Sequence, residues 1–263
     1  MRVYWEIARR GYQRYAAYPA ATWAGVFTNT VFGFMRGSVL LALYAHRGEI
    51  GGYDASAALT YTWLVQALLM AVYIWGWREL GDRIRTGDIA IDLARPVNLQ
   101  LAGLSSDFGR ALYHLVFRGI PPLLVGAVVF ELRMPSGPAA AIAFLVSLVL
   151  AVAVSYGFRF LYSLPAFWIV DIRGVMVLAM VASILFSGMT VPVAFFPAWL
   201  ATVAYATPFP AMAQIPVDIF MGVLSGPEVG VALIIQAAWV AALLLAGHVI
   251  FAAGTRRLVV QGG

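Results

Sequence analysis

RELGDRIRTGDIAIDLARPVN, residues 78–98, is the stretch on which the reading of this chain turns. It gathers four arginines (Arg78, Arg83, Arg85, Arg95) and four acids (Glu79, Asp82, Asp88, Asp92) between two apolar runs long enough to cross a bilayer. A charged side chain at the centre of a membrane helix costs roughly 2.5–3.5 kcal/mol even on insertion scales, so this stretch is an aqueous loop. It also carries local order. Residues 77–86 are helix-compatible, with Leu80 and Ile84 four apart on one face. Gly87 stands where a helix C-cap adopts positive φ. Ile89, Ile91 and Leu93 alternate with Ala90, Asp92 and Ala94, the pattern of a short extended segment. Pro96 pushes Arg95 out of the α region, and Asn98 can then cap the next helix. A short helix, a glycine stop and an ordered return make either a docking knob or a solvated hairpin between two spans.

Composition sets the frame around this loop. The chain has 263 residues, 62% hydrophobic and 11% charged, with a mean hydropathy of +0.87. Those values are far from a soluble domain and predict one polytopic membrane domain over residues 1–263. Cysteine is absent, which removes disulfides and thiolate chemistry. All 17 basic residues are arginine. Without a lysine the chain carries no GxxxxGK[ST] phosphate loop, and lysine Schiff-base chemistry goes with it. His46, His114 and His248 lie on separate segments with no HExxH pairing, so no metal site is expected. A GxSxG nucleophile elbow is missing too.

Residues 1–18 lack the apolar core of a signal peptide. Arg2, Glu6, Arg9, Arg10, Gln13 and Arg14 share one helical arc, and Tyr4, Trp5, Ile7, Ala8, Tyr12 and Tyr15 fill most of the rest. Residues 1–19 therefore read as a basic amphipathic helix lying in the membrane interface and ended by Pro19. Six spans follow, at about residues 22–44, 57–77, 111–130, 139–164, 174–190 and 229–253. Residues 99–110 form a mixed segment before the third span, which holds the kink-prone pair Pro121 and Pro122. Residues 191–228 are apolar but broken by six prolines before any run reaches ~20 residues. Broken backbone at membrane depth survives only in protein or beside a cavity, which predicts two short re-entrant or surface helices, 197–206 and 210–221.

Arginine placement orients the molecule. With the N-terminus inside, thirteen arginines fall on the cytoplasmic side and two, Arg47 and Arg133, on the outer side, leaving Arg36 and Arg118 within spans. That imbalance places both termini in the cytoplasm and the proline-rich segment outside. Arg36 has no acid at matching depth, so it faces a wet cavity, faces a partner subunit, or snorkels outward. Arg118 lies about two turns from the cytoplasmic interface, within snorkelling reach. Asp171 and Arg173 read as a local loop pair, and the spans themselves are expected to hold no carboxylate.

The chain resembles the six-span permeases of the ABC type 2 exporter superfamily, which are encoded beside a separate ATPase. Three pieces carry the likeness: IRTGDIAIDLARPV at 84–97, FSGMTVPVAFFPAWL at 186–200 with Pro208, Phe209 and Pro210 behind it, and the ending at 247–257. The resemblance implies an all-α membrane fold with a cytoplasmic coupling helix and a re-entrant extracellular helical hairpin before the last span. It also implies a bacterial plasma-membrane location, with two permease halves working on two ATPase subunits. ATP and Mg would then be bound on the ATPase, and this chain would hold no cofactor. Leu80, Ile84, Gly87, Asp88, Ile89, Arg95 and Pro96 become the expected ATPase-coupling residues, since apolar groups can bury in a partner groove while charges set register. Arg36, Tyr61, Trp63, Gln66, Phe186 and Met189 become the candidate substrate path. Gly33 and Gly37 allow close helix approach in the first span. The expected function is export of an amphipathic or hydrophobic substrate. The alternative is a self-standing six-span carrier or channel.

Overall fold

The computed structural model describes residues 2–46, 48–169 and 171–257, so Arg47 and the last six residues lie outside it. Among the described residues every named element is helical. Five helices have the length and apolarity to cross a membrane: Pro19–Tyr44, Ala55–Tyr73, Leu99–Val129, Pro138–Phe167 and Pro227–Thr255. The chain is a multi-pass membrane protein.

Helix α1 (Arg2–Ala16) packs along α6 (Leu99–His114). Tyr12 and Tyr15 set their rings against Tyr113 and His114, which leaves Arg9 and Arg10 pointing outward. Pro19 does not continue α1 but opens α2 (Pro19–Tyr44), where its missing N–H costs nothing. The close approach expected at Gly33 and Gly37 is made to helices of the same chain. A Cβ on Gly33 would sit 2.6 Å from the Trp63 ring, and one on Gly126 would sit 2.3 Å from it. Trp63 is gripped between the two.

The central helix is α3 (Ala55–Leu68), opened by Asp54, whose side chain accepts from the Ala57 N–H. Its last turn widens into a π-turn, Leu69–Tyr73, and the helix stops four residues short of the expected end. Two short helices fill the following loop, α4 (Glu79–Thr86) and α5 (Ile89–Leu93). The extended segment expected at 89–93 is therefore a helical turn. Among the described residues no neighbouring strand is available to pair its N–H and C=O groups, so the turn closes them locally.

The mixed segment 99–110 is also no linker. Asn98 caps α6 through the Leu101 N–H, and α6 runs through a π-turn (Leu115–Gly119) into α7 (Ile120–Val129) as one rod. The irregularity falls one turn before Pro121 and Pro122, because proline cannot donate to the carbonyl four residues earlier. The Arg118 carbonyl so freed lies 3.5 Å from Asn29 Nδ2.

Helix α8 (Pro138–Ser163) ends in a 3₁₀ turn and packs on the last helix. Helix α9 (Arg173–Phe186) has 14 residues, about 21 Å, well under the ~30 Å of a hydrocarbon core. The span expected to reach residue 190 ends early because Gly188, at φ +86°, turns the chain aside and its carbonyl is taken by the Tyr61 hydroxyl at 2.7 Å. The proline-rich stretch forms α10 (Ala198–Tyr205) and α11 (Gln214–Met221), close to expectation, and every residue of α11 is buried. Helix α12 (Pro227–Thr255) completes the bundle.

Candidate functional site

Three places concentrate polar chemistry, and the first is the loop at 78–98. Helix α4 ends at Gly87, at φ +84°, whose N–H returns to the Ile84 carbonyl at 3.2 Å. Arg83 binds Asp92 at 2.6 Å and locks α4 to α5. Leu80, Ile84 and Ile89 are buried against Tyr156, Phe160 and Leu164 of the same chain. They therefore anchor the loop to its own helices. Gly87, Asp88, Arg95 and Pro96 lie on the exposed rim, together with Ile91 and Leu93. The expected coupling set thus divides into an inner anchor and an outer edge. Beside that edge, a polar cleft of about 440 Å³ lies between α4 and the start of α9. Asp171 there is held by Arg173, whose hydrogen bonds keep its carboxyl down at about 2, a local pair as expected.

Behind the loop lies a buried ionic joint that hydropathy did not reveal. Asp107 on α6 binds Arg110 at 2.7 Å and Arg159 of α8 at 2.6 Å, with all three residues buried. The second positive charge is met by the end of α3. Arg110 donates to the Met70 and Ala71 carbonyls, and Ser155 takes those of Val72 and Tyr73. A helix C-terminus carries about half a negative charge, so a guanidinium there is well placed. Tyr73 closes the joint with its backbone at φ +52°, in the left-handed region, while its ring lies 4.9 and 5.2 Å from the two guanidinium carbons. The expectation of carboxylate-free spans is therefore corrected, since Asp107 sits in the rod that becomes the third span. Arg110 and Arg159, counted with the cytoplasmic charges, are buried. The i,i+3 spacing of Asp107 and Arg110 was the available signal; their partner Arg159 is 52 residues away.

The third place is a cavity of about 430 Å³ toward the opposite end of the bundle, between α2, α3 and the chain at 189–195. Arg36, Tyr61 and Met189 line it together, with apolar walls from Phe32, Val39 and Phe195. Arg36 is half-buried, and its one hydrogen bond among the described residues is to the Met189 carbonyl at 3.4 Å. Trp63, Gln66 and Phe186 do not line it. Trp63 is sealed between α2 and α7, Gln66 is buried with its backbone carbonyl accepting from Asn29, and Phe186 stacks on Phe209. Arg118 belongs to none of the three places: its carbonyl lies near Asn29 and its guanidinium packs against Gly25.

Next to the cavity, the proline-rich segment is fastened by a side-chain network centred on Gln214. Its carbonyl accepts from the Tyr61 hydroxyl and the Val193 N–H, both at 2.8 Å, and its amide faces Asp218 at 2.9 Å. Tyr53 donates to Asp218 at 2.6 Å. Burial pushes the Asp218 carboxyl up to about 6, outweighing the lowering effect of these two hydrogen bonds.

A family model described as ABC-2 family transporter protein matches residues 30–262. No curated protein and no solved structure matches the chain.

Proposed function

The chain belongs to the ABC-2 transporter family, and from that premise we propose that it is the membrane permease subunit of an ATP-driven exporter. In this reading separate ATPase subunits bind ATP and Mg, hydrolyse the nucleotide, and dock on the outer edge of the 78–98 loop. A second permease half, identical or divergent, completes the transport path. The topology is six spans, counting the short α9, with both termini in the cytoplasm of a bacterial inner membrane. The proline-rich segment is then a re-entrant hairpin on the outer side.

The observation that carries this reading is the way the loop is mounted. Leu80, Ile84 and Ile89 fasten it to its own helices, its two short helices are cross-braced by Arg83 and Asp92, and the joint of Asp107, Arg110 and Arg159 lies behind it. A push on the exposed edge is therefore delivered to α3, α6 and α8 as a rigid displacement, which is what coupling to an ATPase requires. A proton-driven carrier is less well supported. Asp107 is committed to two guanidinium groups, and Asp218 lies outside the five long helices.

The test is co-purification with the separate ATPase subunit that this reading requires. Ile91→Asp and Asp88→Arg alter only the exposed edge. Each should reduce ATPase capture and transport at least about tenfold, a loss of ~1.4 kcal/mol in docking, with membrane abundance unchanged. Undiminished capture in both variants sinks the docking assignment.

A further inference from the structure

Resting on the permease reading, we infer that the Arg36 cavity binds an amphiphile with one anionic head group, a carboxylate or phosphate on an apolar body. The walls are hydrocarbon and aromatic, and Arg36 brings the one formal charge among the lining residues. A guanidinium has five N–H donors in a planar fork matched to carboxylate and phosphate. Here one of them reaches a single carbonyl, at 3.4 Å. No ion pair among the described residues involves Arg36, whereas Arg83, Arg110, Arg133, Arg159 and Arg173 each hold a carboxylate. An arginine kept half-buried without an anion is poorly compensated, and a ligand anion supplies what the chain does not.

The other polar groups on the wall narrow the class further. The Tyr61 hydroxyl is committed to the Gly188 carbonyl and to Gln214, and the Thr62 hydroxyl returns to the Ala58 carbonyl, which leaves the Thr190 hydroxyl as the one side-chain hydroxyl on the wall without a partner among the described residues. Little is left to hydrogen-bond a polyhydroxylated body, and a cationic head would meet repulsion. The Met189 carbonyl that touches Arg36 is itself held in place, because Gln214 pins the chain on both sides of it through Val193 N–H and the Ser187 carbonyl. The guanidinium is thus positioned before any ligand arrives. At about 430 Å³ the cavity is within the usual range for small-molecule sites. Two sources carry this chemistry, a transported anion and an anionic phospholipid of the bilayer.

The test is equilibrium binding to the full-length chain in neutral detergent, without ATPase or nucleotide. The probes are a dansyl-labelled fatty acid, its methyl ester and the corresponding amine. The acid should bind at least about tenfold more tightly than the ester or the amine. Arg36→Leu should bring the acid to the level of the ester, and Arg36→Lys should retain part of the preference because charge persists without the fork. Phosphatidylglycerol that co-purifies with the parent but not with Arg36→Leu assigns the head group to lipid. Absence of that lipid, with the acid preference intact, assigns it to a transported anion. Equal binding of the three probes, or an acid preference that survives Arg36→Leu, overturns the inference. So does a shift in oligomeric state on Arg36→Leu, which would give the anion to a second copy of the chain. Because no step involves the ATPase, a flat probe series leaves the docking test above untouched.

Discussion

Arg110 and Arg159 stand in apolar helices at 6% and 3% exposure, with Asp107 between them and the carbonyls of Met70 and Ala71 taking the remaining charge. Arg36 stands in an equally apolar helix, half-buried, with one long hydrogen bond and no acid. The same side chain therefore serves two ends of the molecule under opposite electrostatic conditions. Where the charge is compensated within the chain, it fastens α3, α6 and α8 together behind the loop. Where it is not, it borders an open cavity. The contrast teaches that the useful question about an intramembrane arginine is what neutralises it, and that depth alone does not answer it.

The largest effect should come from breaking the compensated site. Asp107→Ala leaves two guanidinium groups buried beside one another, and removing one partner of a buried ion pair costs about 3–5 kcal/mol. Thermal unfolding of the detergent-solubilised protein should show a corresponding fall, together with poor membrane yield. A change near zero would mean that the joint is not compensated as described.

Asp218 sharpens the comparison from the acid side, since it is buried with neutral donors only. Its folded pKa of about 6 lies above the ordinary 3.8, so between those values the folded chain holds a proton that the unfolded chain has released. Stability should therefore fall as pH rises from about 4 to 6 and level off above, with a slope of at most ~1.4 kcal/mol per pH unit. Unfolding midpoints across that range measure it. Asp218→Asn should flatten the profile, and an unchanged slope in that variant would assign the titration elsewhere.

The smallest effect on stability should come from Arg36→Leu. It removes a charge that no acid among the described residues neutralises, so the unfolding midpoint should stay within about 0.5 kcal/mol of the parent or rise. A loss as large as that of Asp107→Ala would erase the distinction between the two arginine sites.

Much of this architecture is legible in residue order. The apolar runs place the long helices, Gly87 and Asn98 end and start helices where their stereochemistry requires, and the prolines of 191–228 break the chain into the short helices observed. The motifs at 84–97 and 186–200 point to the family whose model matches residues 30–262. These features are local: each depends on a side chain's own hydropathy or on the φ and hydrogen bonds of its neighbours. The candidate sites were legible only in part. Arg36 announced itself as a charge without a partner, but Trp63, Gln66 and Phe186 share its composition and face elsewhere.

What residue order could not decide is which face of each element is buried, and against what. The stretch 78–98 reads as a docking knob or as a solvated hairpin, and only the tertiary structure shows Leu80, Ile84 and Ile89 packed on Tyr156, Phe160 and Leu164. The Gly188 turn that shortens α9 answers to Tyr61, 127 residues away, and Asp107 finds Arg159 across 52. Burial and charge compensation are properties of groups brought together from distant segments. Hydropathy, summed along the chain, locates helices in the membrane but carries no term for the partner that makes a buried charge affordable.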